Sequence, residues 1–135
     1  MSRRKAREFA LQILFQEDLS GSEPEEGETV FWQVHAAGNS REYATELFRH
    51  VVENDDQIDE LISRFARHWR LERIASVDRN VLRMAIAEFL FTDTPNVVVI
   101  NEAVEIARKY GSERSPEFVN GILDAIREEL ERSPA

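Results

Sequence analysis

Arg3, Arg4, Lys5 and Arg7 crowd the start of the chain, with no acidic side chain before Glu8. Side chains of this kind bind anions. An arginine fork grips two phosphate oxygens at once, and lysine adds a compact point charge. On a helical wheel Arg3, Arg4 and Arg7 fall within about 100° of one another and form one positive face. Cations are unfavourable at a helix N-terminus, which already carries partial positive charge. Local stability therefore does not account for them, whereas a phosphate that also takes the free backbone N–H groups does. The competing explanation is a solvated basic tail that offsets acidity elsewhere.

Two aromatic groups extend this reading. Phe15 lies on the Arg4 side of the same helix, about 16 Å farther along its axis. Exposed, its ring would stack on a base while the arginines hold phosphates; periodicity alone favours the core. The stretch "KYGSERSPEFVNG" gathers Lys109, Tyr110, Arg114, Ser115 and Phe118 around a turn and a helix start. That combination suits RNA, and it equally suits a well-capped helix with Phe118 buried. A third group, Asp78, Arg79, Asn80 and Arg83, interrupts an otherwise apolar helix. Buried charge is costly unless paired, so these residues sit at an exposed end, pair internally or meet a partner protein.

Catalytic constellations are absent from the sequence. His35, His50 and His68 have no metal-ligand spacing, and Trp69 beside His68 reads as structural. The five glycines form no phosphate-binding loop, and no two carboxylates stand apart as general acid and base. Neither an enzyme, a cofactor nor a metal is expected. With no cysteine, disulfides and thiolate metal sites are excluded. No apolar run nears the ~20 residues that span a bilayer, and no signal peptide is evident, so the cytoplasm is the default compartment. The net charge is −9. Any anionic partner must meet a local basic patch.

The elements that position these groups read as helices throughout. A first helix over 3–19 carries Phe9, Ala10, Leu11, Ile13 and Leu14 over more than half its circumference. Its first turns, residues 1–7, form a basic extension expected to project past the core into water. Residues 20–28, "SGSEPEEGE", form an acidic loop. "TVFWQVHAA" reads as a short helix. Ser40 caps the next, with apolar residues at spacings of three and four. A fourth runs from Asp55 through Trp69. Ser76 caps a fifth, apolar nearly all round and so the most buried. "VVVI" is ambiguous between strand and helix, but Ala103, Val104, Ile106 and Ala107 continue it with helical spacing. Gly111 stands where a C-terminal cap belongs. Ser115 and Pro116 begin the last helix. Gly121 inside that helix suggests a second backbone packed against it, because glycine there costs about 1 kcal/mol relative to alanine. The outcome is one all-α domain over 1–135 with about seven helices.

Three motifs, "RRKAREFALQILF" (3–15), "VDRNVLRMAIAE" (77–88) and "VVVINEAVEIARKYGSERSPEFVNGILD" (97–124), resemble those of the NusB transcription antitermination factors. The resemblance implies two three-helix bundles packed across each other and a role without catalysis. It implies binding of boxA RNA together with NusE, a small-subunit ribosomal protein, within an RNA polymerase antitermination complex that serves ribosomal RNA genes above all. By the same resemblance, the RNA contacts fall on Arg3, Arg4, Lys5, Arg7, Phe15, Arg114, Ser115 and Phe118. The NusE face falls on Asp78, with Arg79 and Glu88 beside it. Replacing Arg3, Arg4 and Arg7 by alanine is then expected to weaken RNA binding and spare the fold. Glu117, next to this second patch, opposes phosphate. Two other readings stand beside this one: an RNA-binding accessory domain related to ribosomal RNA cytosine methyltransferases, and a helical protein-interaction adaptor that binds no RNA.

Overall fold

The structure, a computed structural model, describes residues 3–20 and 40–132. The expected helix over 29–37 and all of the acidic loop beyond Ser20 lie outside the described residues. Within them are six α-helices: α1 (Arg3–Ser20), α2 (Ser40–Glu53), α3 (Asp55–Phe65), α4 (Ser76–Phe91), α5 (Asn96–Tyr110) and α6 (Ser115–Arg132). A single 3₁₀ turn, Leu71–Arg73, leads into α4. No strand occurs among the described residues, and the all-α expectation holds.

The central element is α4, which touches each of the other five helices. Its sequence requires this, because Val81, Leu82, Met84, Ala85, Ile86 and Ala87 cover nearly the whole circumference and all are buried. Truncating fully buried Leu82 or Ile86 to alanine would cost about 2–5 kcal/mol. Around α4, α1 pairs with α2 and α5 with α6. The outer helices each bury one stripe: Ala44, Leu47, Phe48 and Val51 on α2, Ile58, Leu61 and Ile62 on α3, Val119, Ile122, Leu123 and Ile126 on α6. The β-branched run of α5 is helical, as its later spacing indicates. Val97 and Val98 face outward, while Val99, Ile100, Ala103, Ile106 and Ala107 form the buried stripe.

Several local expectations need correction. Helix α3 stops at Phe65, where the Ala66 N–H bonds to the Ile62 carbonyl and the chain leaves helical geometry. Trp69, read from sequence as a structural residue of that helix, therefore lies in the following turn and is 54% exposed. Ser76 and Ser115 are the first helical residues rather than caps. Gly111 ends α5 in extended geometry, with φ −96°. It is needed for close approach, not for a left-handed turn: a Cβ there would lie 2.4 Å from Ser115 Oγ and 2.8 Å from the Ala107 carbonyl oxygen. Gly121 faces open space, so no second backbone among the described residues packs against it.

Candidate nucleic-acid interface

The first turn of α1 divides its cations between surface and core. Arg3, Arg4 and Lys5 are exposed. Arg7 is 4% exposed, and the expectation that it projects into water is corrected. The helical period turns position 7 toward α4, alongside Ala6 and Ala10, and there it meets a buried acid. Arg7 Nε donates to Glu88 Oε1 at 2.7 Å and Nη2 donates to Oε2 at 2.8 Å. The Tyr43 hydroxyl of α2 donates to the same Oε2 at 2.7 Å. Burial lowers the Arg7 pKa, but the bond and charge of Glu88 outweigh it and leave the guanidinium more basic than usual. Burial and the Glu88 carboxylate together push Tyr43 up, so its hydroxyl stays protonated as a donor. Glu88, 2% exposed, is thus a structural anchor joining three helices and not a surface contact.

The exposed cations make different contacts. Arg4 forms a two-pronged bond with Glu102 of α5, and the Arg3 guanidinium lies 4.6 Å above the Tyr43 ring. The Lys5 ammonium stands 5.2 Å from the Phe9 ring centre. Arg3, Arg4, Arg7, Thr94, Val98 and Glu102 border a shallow groove of about 420 Å³. Buried Glu8 accepts from Lys109 Nζ at 3.1 Å and from the Tyr110 hydroxyl at 3.0 Å, which ties α1 to the end of α5. Phe15 is partly buried and borders neither this groove nor the next.

At the other end of α1, Asp18 organises the start of α4. Its Oδ2 accepts from Ser76 Oγ at 3.0 Å, Arg79 Nη2 at 3.0 Å and Asn80 Nδ2 at 2.8 Å. Burial raises the Asp18 pKa, yet the bonds from Asn80, Arg79 and Ser76 bring it below the ordinary value. Arg79 also donates to the carbonyls of Leu71 and Ile74, and Arg83 pairs with Asp59 at 2.8 Å. Of the readings open for these charges, internal pairing holds for Arg79 and Arg83. The Nη1 and Nη2 of Arg79 hold the turn that enters α4, while its buried Nε has no hydrogen-bond partner among the described residues.

Asp78 differs. It is 8% exposed, and its buried Oδ1 has no hydrogen-bond partner among the described residues. It borders a second groove, of about 520 Å³, together with Trp69, Arg73, Ile74, Arg114 and Phe118. Two of the sequence-derived RNA residues and the foremost partner residue are thereby brought to one place. Ser115 is not an exposed contact here. It is 1% exposed, and its Oγ accepts from the Ser112 N–H at 2.9 Å. That bond shapes the turn that carries Arg114 and Phe118. Trp69 was missed as a groove residue because no glycine or proline marks the end of α3, so the helical pattern read on through it; Arg73 lies in the connector before α4, where nothing local marks a groove. Chemically the groove offers two aromatic faces, two guanidinium groups and two carboxylates, Asp78 with unused acceptor capacity and Glu117, whose charge opposes phosphate beside Arg114. The set suits bases and a donor-bearing partner chain, with the arginines left to hold any phosphate.

Comparison with known proteins places the sequence and the fold in one family. Residues 4–128 match the NusB family. The transcription antitermination protein NusB of Koribacter versatilis is 46% identical over 133 residues, covering 96% of this chain and 91% of that protein. Among solved structures, T. maritima NusB superposes with a TM-score of 0.87 at 41% identity, covering 96% of this chain and 92% of that one. The crystal structure of antitermination factors NusB and NusE in complex with dsRNA contains a chain similar at TM-score 0.82 and 31% identity, with 94% and 96% covered. A family match over most of its length, at this identity and with this fold, means that the chain belongs to the NusB family of transcription antitermination factors, whose role is not enzymatic.

Proposed function

We propose that this protein binds boxA RNA together with NusE and so supports antiterminated transcription, ribosomal RNA transcription in particular, in the cytoplasm. The observation that carries the reading is the exposed cluster of Arg3, Arg4 and Lys5 on a chain of net charge −9. The groove that collects Asp78, Arg114 and Phe118 adds a stacking surface and a partner-facing carboxylate. The related NusB found with NusE and RNA supports both parts. In this reading Arg3, Arg4, Lys5, Phe15, Arg114 and Phe118 meet RNA, and Asp78 meets NusE. Arg7, Arg79, Glu88 and Ser115 act by positioning the elements that carry them. Residues 1–135 act as one helical domain.

RNA recognition of this kind combines phosphate pairing with base stacking, and its affinity falls steeply with salt. The acidic body opposes RNA, so much of the affinity is assigned to the joint surface with NusE. Pull-down of NusE and of boxA RNA, separately and then together, tests this. Retention of RNA that strengthens when NusE is present supports the reading; retention of neither, or of NusE with no RNA under any condition, contradicts it.

A further inference from the structure

Arg4 is half exposed, yet the edge of its guanidinium best suited to phosphate is already occupied. Its Nε donates to Glu102 Oε1 at 2.8 Å and its Nη2 donates to Oε2 at 2.8 Å. This is the two-pronged geometry with which arginine grips either a carboxylate or a phosphate, so the two anions compete for one set of donors. The surroundings hold Glu102 in place. Arg7 Nη1 stands 3.6 Å from Glu102 Oε1, while the Nε and Nη2 of Arg7 are committed to Glu88. Glu102 is only 20% exposed at its side chain and projects from the middle of α5, a well-packed helix. The Arg4 bond, aided by the charges of Arg4 and Arg7, keeps the Glu102 carboxyl below its ordinary pKa and therefore ionised.

We infer that Glu102 is a built-in competitor for RNA: in the free protein it occupies the phosphate-gripping edge of Arg4, and RNA binding displaces it. This inference rests on the RNA reading above and deepens it. Exposed ion pairs are weak, so a well-placed phosphate can displace the carboxylate. A polyanion that offers charge alone gains less, because each contact to Arg4 first breaks an existing one. Glu102 therefore limits general affinity and favours ligands that also make stacking or partner contacts, a selection built from repulsion as much as attraction.

The test is a titration of fluorescently labelled boxA RNA with the full chain and saturating NusE, repeated across salt concentrations. The variants are Glu102→Gln, which keeps the shape and removes the charge, Arg4→Ala, and the two combined. Thermal melts confirm that each variant is folded at the assay temperature. Glu102→Gln is expected to tighten binding about three- to tenfold at low salt with little change in the log–log salt slope, because Arg4 neutralises the same phosphate in both complexes and only the competing carboxylate is removed. The combined variant is expected to show no gain over Arg4→Ala. Unchanged or weaker binding by Glu102→Gln overturns the inference, as does a gain that survives without Arg4. If Arg4→Ala weakens RNA binding while Glu102→Gln does not tighten it, only the competition fails. If Arg4→Ala binds as the wild type does, the RNA reading of this arginine fails first.

Discussion

Replacing Arg7 by alanine separates the structural arginine from its exposed neighbours. The pair it forms with Glu88 is almost wholly buried, at 5% and 2% side-chain exposure. Without Arg7, the Glu88 carboxylate stays in the core with the Tyr43 hydroxyl as a remaining donor. Removing one partner of a buried pair costs about 3–5 kcal/mol, because the other charge is left uncompensated. That is a large share of the roughly 5–15 kcal/mol that stabilises a domain of this kind. At roughly 3–4 °C per kcal/mol for this chain length, Arg7→Ala should lower Tm by about 9–20 °C. Arg3→Ala and Arg4→Ala act on exposed groups and should each cost no more than about 1 kcal/mol. The assay is far-UV circular dichroism with thermal and urea unfolding. A double variant, Arg7→Met with Glu88→Gln, removes both charges and should be less damaged than Arg7→Ala alone. Melting of Arg7→Ala within a few degrees of wild type, equivalent to under about 1 kcal/mol, would refute the anchoring role. The triple alanine substitution expected from sequence to spare the fold is thus replaced by the Arg3/Arg4 pair as the clean probe of RNA binding.

Three further outcomes follow from other parts of the molecule. Gly121→Ala meets open space on a helix and should stabilise by about 0.5–1 kcal/mol, read as a higher urea midpoint. Gly111→Ala drives a Cβ into Ser115 and the Ala107 carbonyl and should lower that midpoint by the equivalent of about 1–3 kcal/mol; equal midpoints for the two variants would contradict the packing described. Glu102 and Asp18 both have folded-state pKa values below the ordinary carboxylate range, through Arg4 in one case and Asn80, Arg79 and Ser76 in the other. The unfolded chain therefore takes up protons first as pH falls, and the stability these groups contribute above their unfolded pKa of about 4 is lost as pH falls through the folded values. Asp18→Asn should flatten the acid limb of the stability–pH curve, and an unchanged limb would count against the Asp18 cluster.

The helical plan was legible because apolar spacing dominates it. The stripe of α6 and the all-round apolarity of α4 pointed to their places before any contact was known. The first division within α1, packing from Phe9 onward and charge before it, was legible in outline only. Periodicity places Arg7 on the same wheel face as Arg3, but it does not say that Glu88 waits opposite. That partner lies far along the chain on another helix, and no local rule pairs the two. Asp18 was hidden for the same reason, since its donors sit at the start of α4. The end of α3 escaped because Ala66 to Arg70 has good helix formers and no glycine or proline, so Trp69 was read as packed. Gly111 was placed correctly at the end of α5, though not the close approach to Ser115 that it permits, and Gly121 was given a packing role that its open surroundings do not support. In each case the missing information was tertiary, namely which surface lies opposite the residue.

The claim at the centre of this account is that the exposed start of α1 presents charge to RNA while the same helix holds the core. Affinity of the chain with NusE for boxA RNA, measured for wild type and for the Arg3→Ala/Arg4→Ala variant across salt concentrations, tests it most directly. The variant is expected to keep an unchanged helical spectrum, to bind about tenfold or more weakly at low salt, and to show a salt slope shallower by about 0.7 for each phosphate that it no longer neutralises. Equal affinity and an equal slope in a fully folded variant would contradict the claim.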